Sequence, residues 1–241
     1  MTQLSGRSVL VTGASGGLGA PVSRLLAERG ARLTLVGRDR GRLDAVGADL
    51  AGDGADARLV PVDLRRAGSA ERAVGAALDA HGALDGVVVA AGAVAFGPAT
   101  ELPDEVLVEL FTLNTLAPVR LLRAAAPALR ASAAAGHEPF FCVLSAVVAE
   151  HPVAGMAGYG ASKAAVSSFA AAAARELRRA GIRVLDVRPP HTETGLAQRP
   201  RFGTSPTLPR GLDPADVATR IVAAIEAGER DLPAAAFGPS P

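Results

Sequence analysis

The sequence predicts an α/β fold, in which helices cover both faces of a parallel β-sheet. Short, continuously apolar runs alternate along the chain with longer segments whose apolar residues recur at helical spacing. The apolar runs show little period-two alternation, as expected of strands that are buried on both faces. With 241 residues, 49% of them hydrophobic, the chain is long enough for a sizeable core. We therefore expect one domain over residues 1–241, built as a three-layer, doubly wound sheet of six to seven strands flanked by helices.

The first half of the chain contains four predicted strands separated by helices. The strands are expected at residues 7–12, 32–36, 59–62 and 84–90. The helices are expected at residues 17–29, 40–50 and 69–80. Pro21 falls in the first turn of its helix, where the missing N–H needs no partner, and Gly30 ends that helix. Ser69 is expected to cap the third helix with its hydroxyl.

The second half continues the alternation with longer helices. Helical segments are expected at residues 103–134 and 157–180, and a last helix runs to about residue 227 with Asp213 as its cap. Strands are expected at residues 140–144 and 182–187, and a weak final strand at residues 231–237. A proline-rich loop over residues 188–212 lies between the sixth strand and the last helix.

The composition argues against several classes of protein. A net charge of +1 and the lack of a basic patch interleaved with aromatic residues argue against nucleic-acid binding. The longest uncharged stretch, residues 86–100, is too short and too rich in Gly and Pro to span a bilayer. Cys142 is the only cysteine, the N-terminus lacks the pattern of a secretion signal, and no His/Cys cluster has metal-ligand spacing. We expect a cytoplasmic protein without a metal site.

A glycine-rich loop follows the first predicted strand and opens the first helix. Its sequence is Thr12-Gly-Ala-Ser-Gly-Gly-Leu-Gly19. Glycines permit a tight turn there and bring backbone N–H groups close to a pyrophosphate, which the helix N-terminus also attracts. The loop therefore predicts a dinucleotide cofactor, whose expected contacts are Gly13, Ser15, Gly16, Gly17, Leu18 and Gly19.

The end of the second strand indicates which dinucleotide is bound. Folds of this kind that bind NAD usually place an acid there to hold the ribose 2′-OH, whereas this chain has Arg38. A guanidinium binds a 2′-phosphate well, so we favour NADP(H) over NAD(H). Asp63 and Leu64, at the end of the third strand, are expected beside the adenine. Ala91 and Gly92, at the end of the fourth, are expected to pack against the cofactor.

Tyr159 and Lys163 are the only tyrosine and the only lysine of the chain. Their spacing places both side chains on one face of the predicted helix. A free tyrosine has a pKa of about 10, and we expect the neighbouring cation to lower it by favouring the phenolate. Tyr159 can then donate a proton to a carbonyl or remove one from an alcohol. The alternative interpretation is an ordinary pair on a solvated helix face.

Together with Asn114, Pro189 and Thr194, these motifs resemble the short-chain dehydrogenase/reductase family in its single-domain form. The resemblance extends over about residues 7–227. It implies a Rossmann fold and hydride transfer between a nicotinamide cofactor and a ketone or secondary alcohol. It further implies that Lys163 holds the nicotinamide ribose, that the Asn114 carbonyl binds a proton-relay water, and that Pro189 and Thr194 contact the cofactor.

Pro118 offers a physical reason for the role of Asn114. Proline has no N–H, so a helical carbonyl four residues earlier loses its partner and is free for water. The alternative is an ordinary proline kink between two shorter helices, and both can hold at once.

One departure from the family pattern concerns its catalytic serine, which usually lies thirteen residues before the tyrosine. Position 146 is alanine here, and Ser145 lies fourteen residues before Tyr159. Either the loop over residues 147–158 has one extra residue and Ser145 orients the carbonyl, or the serine function is missing. We favour a catalytic Ser145, because a loop absorbs one residue easily.

The substrate pocket is expected to be mainly apolar, which favours an uncharged, hydrophobic ketone or secondary alcohol. The predicted lining is Val94, Phe96, Val147, Val148, Met156 and the loop over residues 188–212. The helices over residues 104–134 and 157–180 are expected to pair in a homo-oligomer, either a dimer or a tetramer. Two other functions stay open: a catalytically weak, cofactor-binding regulator on the same fold, and a sugar-nucleotide epimerase or dehydratase. The lack of a second substrate domain argues against the epimerase.

Overall fold

Seven parallel strands form one sheet in the computed structural model, which describes residues 2–55 and 57–238. The strands are β1 Ser8–Thr12, β2 Arg32–Gly37, β3 Ala57–Pro61, β4 Gly86–Val89, β5 Phe140–Leu144, β6 Arg183–Val187 and β7 Asp231–Leu232. Their order across the sheet is β3-β2-β1-β4-β5-β6-β7, and every pairing is parallel. The predicted α/β fold is confirmed. The strand order reverses between β1 and β4, which places a crevice at the carboxyl ends of these two strands.

In the described part of the chain, seven α-helices cover the two faces of this sheet. They are α1 Gly19–Glu28, α2 Arg40–Gly52, α3 Ser69–His81, α4 Asp104–Phe111, α5 Ala117–Ala134, α6 Ala157–Leu177 and α7 Pro214–Ala227. A π-helical turn, Thr112–Leu116, joins α4 to α5, and short 3-10 turns follow β5, α6 and β7. None of the described helices is both long and apolar enough to cross a membrane.

Two apolar cores lie on opposite faces of the sheet. One is formed by α1, α2 and α7, with Leu26 and Ile221 packed on strand residues such as Leu35. The other is formed by α3, α5 and α6, with Leu121 packed on residues such as Leu10. β1, β4 and β5 are buried along their whole length, which explains their mainly apolar sequences.

The two predicted helix caps have different outcomes. Asp213 is the N-cap of α7 and accepts a hydrogen bond of 2.7 Å from the Ala215 N–H, as predicted. Ser69 was expected to cap α3, but this prediction is wrong. The N-cap is Gly68, and the Ser69 hydroxyl instead donates 2.8 Å to the carbonyl of Asp63.

The weak final strand predicted at residues 231–237 is shorter in the structure. Only Asp231–Leu232 pairs with β6, and Ala234–Phe237 forms a 3-10 turn. Pro233 separates the two, and a proline has no N–H with which to continue the pairing.

The segment predicted to be helical over residues 103–134 is helical but changes its pitch near Pro118. Within Thr112–Leu116 the chain adopts π geometry, and the Ala117 N–H donates to the Thr112 carbonyl five residues earlier. Because Pro118 offers no N–H, the α pattern cannot run unbroken through this point. The structure therefore shows two α-helices joined at the turn that contains Asn114.

Candidate active site

The glycine-rich loop folds into a close-packed backbone cradle between β1 and α1. Gly13 has φ +66°, and a Cβ added there would lie 2.6 Å from the Ala91 nitrogen. A Cβ on Gly19 would lie 2.0 Å from the Gly13 carbonyl oxygen, and one on Gly17 would lie 2.6 Å from the Thr194 Cα. Side chains at these positions are sterically excluded. The cradle and the N-terminus of α1 fit the pyrophosphate of a dinucleotide.

The ends of β2 and β3 carry the residues expected around the adenosine. Arg38 is exposed just after β2, and its charge helps to lower the pKa of Asp63. Arg42, which the sequence analysis did not single out, donates 2.6 Å from Nη2 to the Ser15 carbonyl in the glycine loop. Arg42 could have been found from the sequence, because it lies four residues after Arg38, close to the glycine loop. Leu64 is buried in the α3 core.

Asp63 is already engaged by a neighbouring arginine. Arg65 donates to its carboxylate through Nε and through Nη2, the latter at 2.5 Å. Mainly through this hydrogen bonding, the pKa of Asp63 falls from 3.8 to about 2. Arg65 also donates 2.6 Å to Glu109 on α4, and Glu109 in turn accepts a salt bridge from Arg201 of the long loop. The expected adenine contact thus belongs to an ion-pair network.

Tyr159 and Lys163 lie one turn apart in the first half of α6, and both are buried. The Lys163 ammonium donates 2.8 Å to the carbonyl of Leu144, the last residue of β5. Burial lowers the pKa of Lys163 to about 8, and the opposing charge of Asp186 limits the fall. The pair is therefore not on a solvated helix face.

The expectation that the cation lowers the pKa of Tyr159 is not met. Burial raises the pKa of Tyr159 to about 12, because its apolar surroundings disfavour the phenolate. The ammonium of Lys163 is instead held by the Leu144 carbonyl. With its pKa raised, Tyr159 keeps its hydroxyl proton at neutral pH.

Asn114 connects the end of β4 to the active-site helix. Its side-chain amide exchanges two hydrogen bonds of 2.9 Å with the backbone of Ala93 and donates 2.9 Å to the Ser162 hydroxyl. Ser162 directly precedes Lys163, and a Cβ on Gly92 would lie 3.3 Å from Asn114 Oδ1 and 3.5 Å from Lys163 Nζ. The structure therefore brings Asn114, Gly92 and Lys163 together, as expected. The role of the Asn114 carbonyl in a water relay stays a prediction.

Ser145 directly follows β5 and bonds to the neighbouring strand. Its hydroxyl donates 2.5 Å to Oδ1 of Asp186 on β6 and also approaches the Val187 carbonyl at 3.2 Å. Ala146 packs in the same apolar cluster as Tyr159. Successive residues of extended chain point in opposite directions, so residues 145 and 146 face different surroundings. This geometry argues against a catalytic Ser145 and places an alanine methyl beside the tyrosine.

The residues predicted to line the substrate pocket form one apolar cluster with Tyr159. Val94, Phe96 and Val148 are buried there, with Val147 and Met156 partly buried against them. The long loop closes over this cluster with Leu196, Ala197 and Phe202. Backbone hydrogen bonds hold it in place: Phe96 N–H donates 3.0 Å to Phe202, and Arg201 N–H donates 2.8 Å to Val94.

Comparison with known proteins identifies the family. A family model described as short chain dehydrogenase matches residues 7–202. The chain belongs to this family. An uncharacterized oxidoreductase from Staphylococcus haemolyticus is 28% identical over 225 residues, which cover 93% of each chain. The short-chain dehydrogenase is thus an oxidoreductase that interconverts C=O and CH–OH groups with a nicotinamide cofactor.

Solved structures of related enzymes have the same fold. A short-chain dehydrogenase from Sphingobium yanoikuyae in complex with NADPH is 32% identical, with a TM-score of 0.83, over 94% of this chain and 87% of that one. A 3-ketoacyl-(acyl-carrier-protein) reductase from Brucella melitensis complexed with NADH is 26% identical, with a TM-score of 0.86, over 98% of each chain. Among these two relatives, one therefore binds NADPH and the other binds NADH.

Proposed function

We propose that this short-chain dehydrogenase reduces an uncharged, apolar ketone to a secondary alcohol with NADPH. The observation that carries the proposal is the buried Tyr159–Lys163 pair beside Asn114 and Gly92. A tyrosine that keeps its proton at neutral pH is suited to protonating a carbonyl oxygen, and the high pKa of Tyr159 favours this direction.

The catalytic step assigns one role to each residue of the pair. The nicotinamide, when bound, supplies the hydride to the carbonyl carbon. Tyr159 donates its hydroxyl proton to the carbonyl oxygen, so the ketone gains a hydride and a proton and the tyrosine becomes a phenolate. Lys163, anchored on the Leu144 carbonyl one turn beyond Tyr159, would hold the nicotinamide ribose. Reprotonation through a water on the Asn114 carbonyl completes the cycle.

The preference for NADP(H) rests on two cations around the glycine loop. Arg38 directly follows β2, at the position where an acid would repel a 2′-phosphate. Arg42 donates a hydrogen bond to the Ser15 carbonyl in the glycine loop. Guanidinium groups bind phosphate through paired, charge-assisted hydrogen bonds. The contacts proposed for the cofactor remain those of the glycine loop, Asp63, Leu64, Ala91, Gly92, Lys163, Pro189 and Thr194.

The substrate class follows from the cluster around Tyr159. Apart from the tyrosine hydroxyl, this cluster consists of aliphatic, Phe and Met side chains. A charged substrate group would be desolvated there without a partner, at a cost of several kcal/mol. The relative from Brucella melitensis is a ketoacyl reductase, which agrees with a ketone as the reacting group.

Two further features of the proposal concern assembly and location. The segment 104–134 exposes Val108 and Leu116, with 63% and 42% of their surface accessible. Pairing of this segment and α6 with a second copy would cover them, which supports a homo-oligomer. A single, fully buried cysteine fits the reducing conditions of the cytoplasm.

The test is turnover of a panel of uncharged ketones with NADPH by the wild type and by Tyr159→Phe. The phenylalanine retains the ring in the apolar cluster and loses only the proton donor. We expect it to bind NADPH normally and to lose about 10²–10⁴-fold in turnover. A wild type that binds NADPH but reduces no ketone would instead favour the catalytically weak regulator.

A further inference from the structure

A buried carboxylate on β6 joins three elements around the active-site lysine. Asp186 is only 5% exposed, yet it accepts hydrogen bonds of 2.5 Å from three side chains. Ser145, which follows β5, donates to Oδ1, while Ser167 on α6 and Arg188 donate to Oδ2. Neither the glycine loop nor the substrate cluster needs this carboxylate. An ion buried at such cost needs another reason to be present.

The position of Asp186 relative to Lys163 suggests that reason. Ser167 lies one turn beyond Lys163 on α6, so the bond to Asp186 fixes the helix just past the lysine. Ser145 follows Leu144, whose carbonyl accepts the Lys163 ammonium. The Asp186 carboxylate therefore fixes both α6, which carries Lys163, and the end of β5, whose carbonyl binds the Lys163 ammonium.

The charges around Asp186 act in the same direction. Arg188 also binds Glu150, in the turn after β5, and Asp231 of β7 at 2.7 Å. Three carboxylates against a single guanidinium leave this network net negative. Asp231 is largely exposed and therefore screened by water, whereas Asp186 is buried, and its charge acts on Lys163.

We propose that Asp186 is a positioning residue of the active site, which holds Lys163 in place on the Leu144 carbonyl. It does so through its clamp on Ser145 and Ser167, without touching the substrate. The charged and titratable groups around the lysine are Tyr159 on α6, Asp186 on β6, Arg188 directly after β6, and the network partners of Arg188. The catalytic consequence rests on the proposed function, whereas the effect on Lys163 itself does not.

The chain allows Lys163 to be observed alone, because it is the only lysine. Protein labelled with lysine that carries ¹³C at Cε alone gives a single labelled side-chain NMR signal, whose pH titration reports the charge of this ammonium without substrate or cofactor. In Asp186→Asn the midpoint of that titration should fall by about one pH unit, because a negative charge near the cation is lost. An unchanged midpoint in a folded Asp186→Asn variant would overturn the proposal.

Asp85→Asn is the matched control. Asp85 is also buried and also accepts three hydrogen bonds, from the Ser8 N–H, the Ser132 hydroxyl and His137, but it directly precedes β4 at the amino ends of the strands. The variant should leave the Lys163 titration unchanged. A midpoint that falls equally in both variants would show a general effect of destabilisation and would count against the proposal.

The double variant Ser145→Ala/Ser167→Ala separates the clamp from the charge and also serves if Asp186→Asn does not fold. It keeps the carboxylate but releases it from β5 and α6. The Lys163 signal should then shift or broaden as the lysine leaves its fixed place, and a signal identical to that of the wild type would refute the clamp.

The kinetic consequence is measured on Asp186→Asn with NADPH and a ketone that the wild type reduces. The variant should lower kcat about tenfold or more and move the alkaline limb of the pH profile of kcat to lower pH. If the wild type reduces no ketone, the NMR titration of Lys163 still tests whether Asp186 positions this lysine.

Discussion

The ammonium of Lys163 donates a 2.8 Å hydrogen bond to the carbonyl of Leu144, which anchors the cation to the end of β5. One turn earlier, the Tyr159 ring is buried among apolar side chains. Within residues 2–55 and 57–238, no side chain or backbone group makes a hydrogen bond to its hydroxyl. A fixed cation beside a protonated acid is an arrangement suited to carbonyl reduction.

Native Tyr159 should therefore stay protonated at a pH that ionises half of a free tyrosine. With a pKa near 12, only about 1% of the folded protein carries a phenolate at pH 10, whereas the unfolded chain is half ionised. The chain has one tyrosine and no tryptophan, so the ultraviolet absorbance of phenolate reports this residue alone. Equal absorbance in native and denaturant-unfolded protein at pH 10 would contradict the effect of burial. Tyr159→Phe provides the baseline.

Exchanging the hydroxyls at residues 145 and 146 separates structure from catalysis. Because the Ser145 hydroxyl is bonded to the Asp186 carboxylate, we expect Ser145→Ala to lower turnover by less than about tenfold. Ala146→Ser adds a hydroxyl in the Tyr159 cluster and should raise kcat/KM for ketones about two- to tenfold. Steady-state kinetics on the same ketone measures both. A loss well over tenfold in Ser145→Ala, with an unchanged Lys163 NMR signal, would restore the catalytic serine first predicted from the sequence.

The sequence was most informative where local chemistry decides the structure. The strand periods, the glycine loop and the pairing of Tyr159 with Lys163 depend on neighbouring residues, and the structure has them within a few residues of the predicted places. The sequence was less informative about which way the Ser145 side chain points, because a shift of one residue along an extended strand reverses the side chain.

Features that depend on distant segments could not be predicted from the chain alone. Asp186 accepts hydrogen bonds from residues that directly follow β5 and β6 and from α6, and its surroundings are set only when the sheet assembles. The raised pKa of Tyr159 has the same origin, because burial is a property of the packed protein. Arg65 could have been suspected, since it lies two residues after Asp63 and arginine pairs readily with carboxylates.

Asp63 should make the stability of the fold sensitive to acid. Its pKa is about 2 in the folded protein against an ordinary value of 3.8, because Arg65 binds the carboxylate. The folded value is the lower one, so the stabilisation is fully present above about pH 4 and is lost as the pH falls towards 2. Urea unfolding should show wild type more stable than Asp63→Asn at pH 6, with the difference shrinking between pH 4 and pH 2.

The exposed Asp79 on α3 is the matched control for this experiment. Asp79→Asn should leave the pH profile of the unfolding midpoint unchanged. A stability difference between wild type and Asp63→Asn that stays constant from pH 6 to pH 2 would show that the Asp63–Arg65 ion pair does not contribute to the acid dependence.

Arg38→Asp should reverse the cofactor preference, because a carboxylate at the end of β2 repels a 2′-phosphate and can bind the 2′-OH of NADH. Losing a charge-assisted hydrogen bond weakens NADPH binding by about ten- to a hundredfold. Calorimetric titration of both cofactors measures this, with Arg179→Asp, an exposed arginine in the turn before β6, as the control for net charge. Arg42→Ala should weaken NADPH binding less, because Arg42 is already bonded to the Ser15 carbonyl. A wild type that prefers NADH, or an Arg38→Asp variant that loses both cofactors equally, would show that Arg38 does not read the 2′-phosphate.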